Sequence, residues 1–161
     1  MSYQACDDPH PKRLWKKTYL SVVENAPGAK LFRHFYLNCS GHLHDGAHDG
    51  QSSCAFFVSS VLCMFNFLSE SHYTVKETVV LMEKNGWYKI NKPRRGAVLV
   101  WEEMEIEDYE HFHIGFYLGK HRAVSNNSQK QSPFNHHYTF NNQRAIESIY
   151  WHEKLEESVI V

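Results

Sequence analysis

The sequence predicts an α+β fold on three observations: an amphipathic segment near the N-terminus, an almost wholly apolar segment from Cys54 to Leu68, and short β-like runs confined to the C-terminal half. Helices come first and a largely antiparallel sheet follows. With 161 residues and no internal repeat or linker, residues 1–161 read as one domain, in which 1–50 form an N-terminal helix and loop extension and about 51–155 form the core.

The elements follow in order. Residues 11–26 open at Pro11 and carry Leu14, Trp15, Tyr19, Leu20 and Val23 at near-helical spacing, and Pro27-Gly28 ends that helix. From Leu31 to Gln51 the sequence is irregular and rich in Gly, His and Asp, which predicts a loop wrapping the domain. Ser52-Ser53 offers an N-cap, and Cys54 to Leu68 is apolar around its circumference, the mark of a buried central helix. Thr74-x-x-Glu77 matches a capping box for a helix running to Gly86. The β-like runs are Ala97–Trp101, His111–Leu118, Arg122–Asn126 and Ala145–Trp151.

Composition excludes several functions. Hydrophobic residues at 42% argue for a packed globular chain, and a formal net charge of -1 supplies no basic field for nucleic acid or an anionic membrane. The acidic stretch Glu102, Glu103, Glu105, Glu107, Asp108, Glu110 reads as a solvated loop between two strands. No apolar run is long enough to span a bilayer, and the first residues lack a basic region followed by an apolar one. Synthesis in the cytoplasm is therefore expected, with any cell-wall substrate requiring another export route. Cys6, Cys39, Cys54 and Cys63 are too sparse for a disulfide scaffold and have no metal-type spacing.

Cys54 stands where a thiol would be activated. At a helix start the unsatisfied backbone N–H groups and the positive dipole end favour thiolate, and the same N–H groups can hold an oxyanion. Cys63, between Leu62 and Met64, reads as a small core residue. The run from His111 to Leu118 alternates: Phe112, Ile114, Phe116 and Leu118 share a core face, while His111, His113, Gly115 and Tyr117 share the other. His113, two residues before a glycine that leaves an open slot, is the base candidate, and His111 is its rival.

A third group must orient the imidazole. Gly119-Lys120-His121-Arg122 predicts a tight turn, and with a two-residue loop and Leu118 opposite Ala123, Asn126 falls diagonally across from His113. A one-residue change would put Ser125 or Asn127 there instead. Gln51 is a further candidate, as an oxyanion donor upstream of Cys54. The set His42, His44, Asp45, His48, Asp49 has the ligand types of zinc or nickel, but its glycine-separated spacing reads as incidental, so no metal and no cofactor are expected. His136 and His137 read as loop residues without a catalytic part. Trp101, Tyr117 and Phe134 are candidates either for peptide or sugar contact or for core packing.

The order Ser53-Cys54-Ala55-Phe56-Phe57-Val58, Gly96-Ala97-Val98-Leu99-Val100-Trp101 and His113-Ile114-Gly115-Phe116-Tyr117-Leu118-Gly119 resembles the NlpC-type cysteine hydrolases of papain-like fold over about residues 50–128. Ala97 stands where that family has Asp, and its usual third histidine falls on Ser125. The run Ser125-Asn126-Asn127 resembles the related CHAP amidases, whose third member is Glu or Asn. The resemblance implies a central helix bearing the nucleophile Cys54, packed on a small antiparallel sheet bearing the base His113. It also implies cleavage of amide or peptide bonds, with a peptide or peptidoglycan stem peptide as substrate. Alternatives are an acyltransferase or hydrolase acting on a protein amide, isopeptide or lipid ester, an inactive binding module of the same fold, and a metal-binding protein built on the histidine-rich loop.

Overall fold

A computed structural model describes residues 7–106 and 109–156, with the side chains of 104–111 outside the description. Three helices, α1 (Trp15–Glu24), α2 (Cys54–Met64) and α3 (Val75–Lys84), pack with strands β1 (Tyr36–Cys39), β2 (His42–Asp45), β3 (Tyr88–Lys89), β4 (Val98–Ile106), β5 (Tyr109–Gly119), β6 (Arg122–Asn127), β7 (Ser132–His137) and β8 (Ile146–Trp151). The fold is α+β. β1 and β2 form a separate hairpin, and the other six strands form one antiparallel sheet in the order β3-β8-β4-β5-β6-β7. No helix among the described residues is long and apolar enough to cross a membrane.

The main core lies between the helices and one face of this sheet. Ala55, Phe57, Val58, Val61 and Leu62 of α2 meet Val98, Val100, Ile114, Phe116 and Val124, all buried, as the apolar circumference of α2 requires. Tyr19 of α1 is wholly buried, sets its ring edge-on to Phe65, Phe67 and Phe116, and donates its hydroxyl to the Gly96 carbonyl at 2.8 Å. α3 begins as its capping box predicts, with Thr74 Oγ1 accepting from the Glu77 N–H at 3.3 Å and donating to the Glu77 carboxylate at 2.7 Å. The opposite sheet face carries a smaller cluster of Leu99, Trp101 and Ala123, covered by Tyr138 and Phe140.

Four expectations need correction. The segment 31–51 is not wholly irregular, because β1 and β2 pair across a Ser40-Gly41 turn with both φ positive. Their side chains face solvent, Leu43 at 79% exposure, so no buried alternation announces them. The acidic stretch is strand rather than loop as far as Ile106: β4 and β5 continue to pair, with Glu105 opposite Glu110. Residues 107 and 108 lie outside the described residues. α2 ends at Met64, four residues short of Leu68, where Asn66 turns to positive φ. His136 and His137 belong to a strand, β7, and not to a loop.

Buried histidines whose pKa is lowered make acid a weakness of this fold, and His152 is the most enclosed of them. His152 is 5% exposed, its Nε2 lies 3.0 Å from the Asn85 carbonyl, and its Nδ1 accepts the Lys154 N–H at 3.1 Å. Both nitrogens are satisfied only in the neutral ring, and burial holds its pKa below the ordinary histidine value. The unfolded chain therefore binds a proton more readily, and stability falls as pH drops below about 6.5. The melting temperature is expected to be lower at about pH 5 than at about pH 7.5, and the drop should shrink in His152→Gln. Identical melts at the two pH values would contradict this.

Candidate active site

α2 begins at Cys54 because the chain turns sharply through Gly50, whose φ is +82°, into Ser53. Ser53 does not cap the helix as its residue type predicts. Its φ and ψ of −94° and 15° are off the capping conformation, and its hydroxyl is turned to the Gly50 carbonyl at 3.4 Å. The first-turn N–H groups thus have no Ser53 hydroxyl to occupy them, and those of Cys54 and Ala55 point at the sulfur, as does the N–H of Ile114 from β5. Burial pushes the Cys54 thiol up, while these N–H groups and the charge of Arg144 oppose the rise without cancelling it. At neutral pH the sulfur therefore keeps its proton and needs a base to lose it.

Cys54 and His113 line one cleft of about 1040 Å³, shared with Gln51, Phe112, Asn126, Phe140 and Arg144. One of the N–H groups that reach the sulfur belongs to Ile114, the residue after His113, so the β5 backbone next to the histidine lies against the start of α2. His113 is half-buried, its ring lies against Trp101 and Phe140, and its Nε2 is 2.7 Å from Ser125 Oγ.

Ser125, and not Asn126, is the residue on the imidazole. The Lys120-His121 turn has two residues, both at positive φ, as predicted, but the pairing shifts between Tyr117 and Gly119. Leu118 is the extra residue of a bulge, so Ala123 faces Tyr117 and Ser125 faces Gly115. Asn126 is thereby turned to the other side, where its Nδ2 donates to the Gly50 carbonyl at 2.8 Å and its Oδ1 is buried without a partner. Asn127, the third possibility, accepts the Lys130 N–H at the end of β6.

Gly115 has a different use from the open slot the sequence suggests. A Cβ there would lie 2.5 Å from the Val124 carbonyl oxygen, 2.7 Å from Ser125 Cβ and 3.1 Å from the Trp101 ring. The missing side chain is what admits Ser125 to the diagonal position beside His113. On its other side Ser125 Oγ lies 2.8 Å from Nε2 of His136, opposite the small residue Ala123. His136 Nδ1 is in turn 2.8 Å from the His137 carbonyl. His136 is not the loop residue that its surroundings predict, because it lies on β7, and the alternation of Phe134 and His136 with Asn135 and His137 is the one sign of that strand in the sequence.

Arg144 was missed as well. It is 9% exposed, donates Nε–H to the Glu102 carbonyl at 2.9 Å, and places its charge near the Cys54 sulfur. Desolvation lowers its pKa, yet the guanidinium remains a cation. Nothing local in the sequence around Arg144 points to the cysteine.

The remaining candidates scatter. Gln51 is exposed at the cleft rim. The backbone of His111 pairs with Met104, and its side chain lies outside the described residues. Trp101 is fully buried, Tyr117 packs on Tyr138, and Phe134 lies under Lys130; the aromatic rings on the cleft are Tyr73, Phe112 and Phe140. In the histidine-rich hairpin, Asp45 accepts the N–H groups of Phe35, Ala47 and Asp49 together with His34, and Asp49 pairs with Arg33. These bonds outweigh burial and hold the Asp45 carboxyl far below the usual range. Among the described residues no group of three or more His, Cys, Asp or Glu is gathered as a metal site.

No family model matches this chain, and no curated protein is similar to it in sequence.

Proposed function

We propose that this chain is a cysteine hydrolase of papain-like fold that cleaves amide bonds in peptides, the stem peptides of peptidoglycan first among them. The observation that carries the reading is a thiol at the mouth of α2 sharing a cleft with an imidazole whose Nε2 is held by a hydroxyl. His113 takes the Cys54 proton, the sulfur attacks the carbonyl carbon, and the backbone N–H groups at the helix start receive the oxyanion. His113 then gives the proton to the leaving amine, and water releases the acyl group. The cleft lining is rich in amides and hydroxyls (Ser52, Asn127, Ser128, Gln129, Gln131), with the Arg144 cation beside the sulfur, which suits a polar peptide over a lipid ester.

The test is reaction with an iodoacetamide probe, then digestion of purified peptidoglycan and of peptide libraries read by mass spectrometry. Rapid, single-site labelling at Cys54 and a new amine terminus in the products are expected. Labelling of Cys54 no faster than a free cysteine would mean a binding module instead. Cleavage confined to protein or isopeptide substrates would move the activity away from the cell wall.

A further inference from the structure

We propose that His136 is a positioning residue that sets the tautomer of His113 through the Ser125 hydroxyl, so that Nδ1 of His113 is the nitrogen that receives the Cys54 proton. The inference rests on the Cys54–His113 reading above for its use in catalysis, though not for its geometry.

The hydrogen positions follow from one fixed end. The His137 carbonyl, 2.8 Å from His136 Nδ1, can only accept, so that nitrogen carries a hydrogen. In a neutral ring the lone pair then sits on Nε2. Burial lowers the pKa of His136 and so favours that neutral ring, although the nearby N–H acceptor His137 carbonyl acts the other way. Phe140 stacks on the imidazole at 4.0 Å and 15°, and Trp101 lies 5.6 Å away, which holds the ring in place.

The bare Nε2 lies 2.8 Å from Ser125 Oγ, so the single hydroxyl hydrogen points to His136. With that hydrogen committed, Oγ can only accept from His113 Nε2, 2.7 Å away on the other side. His113 must therefore carry its hydrogen on Nε2 and its lone pair on Nδ1. When the thiol proton moves from Sγ to Nδ1, the S–H electron pair stays on sulfur and the Nε2–H bond to Ser125 is kept. With the hydroxyl reversed, it would donate to His113 Nε2 and leave Nδ1 protonated, with no lone pair for the thiol.

Serine by itself is ambiguous, since a hydroxyl donates or accepts with equal ease. His136 removes the ambiguity. A carboxylate in the third position only accepts and would need no such partner, whereas serine takes its direction here from a second histidine.

Nitrogen-15 NMR of the ring nitrogens, on the full chain, reads the tautomer directly. The wild-type protein is expected to show His113 protonated on Nε2 and bare on Nδ1. His136→Ala frees the hydroxyl, so the His113 tautomers should mix and iodoacetamide labelling of Cys54 at about pH 7 should slow by about tenfold or more. His136→Gln, whose amide oxygen can accept the Ser125 hydrogen, should restore both. A wild-type His113 carrying its hydrogen on Nδ1 overturns the wiring without need of any variant. Unchanged tautomer and labelling in His136→Ala overturn it equally. If His136→Ala fails to fold, the wild-type spectrum and His136→Gln still decide. An unreactive Cys54 beside the expected tautomer would instead defeat the hydrolase reading and leave the hydrogen-bond chain standing.

Discussion

His113→Ala is expected to lower kcat/KM for peptide cleavage by about 10²–10⁴-fold and to slow alkylation of Cys54 at neutral pH. The size follows from the state of the thiol. Burial raises the Cys54 pKa despite the N–H groups of Ile114, Ala55 and Cys54 and the charge of Arg144, so the helix mouth by itself does not deliver a thiolate near pH 7. A base has to take the proton as sulfur attacks, and in the variant only solvent can do so. The alkylation rate of the variant should then climb with pH until the thiol ionises unaided, above the ordinary cysteine range, while the wild-type profile levels off earlier. The fold should tolerate the change, because His113 is only half-buried and the Ser125–His136 bond does not depend on it. A variant that labels and cleaves at the wild-type rate would remove His113 from the mechanism and leave Cys54 as a partly buried thiol with an accidental neighbour.

Cys54 and His113 could be picked out from sequence because each carries a local signature. Cys54 begins an apolar run behind two serines, and His113 sits in a strict two-residue alternation ending at Gly119. The third group had no such signature. Whether Ser125 or Asn126 faces the imidazole turns on a single bulged residue, Leu118, and bulges leave almost no trace in residue type. The turn itself, Lys120-His121, has the expected length, so the error lies wholly in the strand beside it. Arg144 is harder still. It reaches the site from the segment before β8, held by the Glu102 carbonyl 42 residues away in sequence, and such a contact is fixed by topology alone. The helices were more legible than the strands: α2 is a long apolar run and α3 opens on a capping box, whereas β1 and β2 bury no residue that an alternation could display. Ser53 shows the opposite failure. A good capping residue sits at the capping position and does not cap, because its hydroxyl is spent on Gly50.

Trp101→Ala should be the most destabilising substitution near the site, at about 3–5 kcal/mol. The side chain is 0% exposed and is the largest in the small cluster with Leu99 and Ala123, so its removal opens a cavity that β-sheet neighbours cannot close. Its Nε1–H donates to the Tyr138 carbonyl at 2.7 Å, and that carbonyl would lose its partner. Against a typical total of about 5–15 kcal/mol, a loss of this size leaves a protein that unfolds at much lower urea concentration. The same ring also lies 5.4 Å from His113, 5.6 Å from His136 and 5.3 Å from Phe140, forming the wall behind both imidazoles. Trp101→Phe separates the two effects. It keeps an aromatic wall and gives up the indole donor, so it should cost less than Trp101→Ala and retain most of the Cys54 reactivity. Urea midpoints and alkylation rates measured on both variants decide the matter. Were the phenylalanine variant stable but as unreactive as His113→Ala, the indole N–H bond to Tyr138 would have to be counted as part of what holds the histidines. Were the alanine variant as stable as wild type, the buried wall assigned to Trp101 would be wrong.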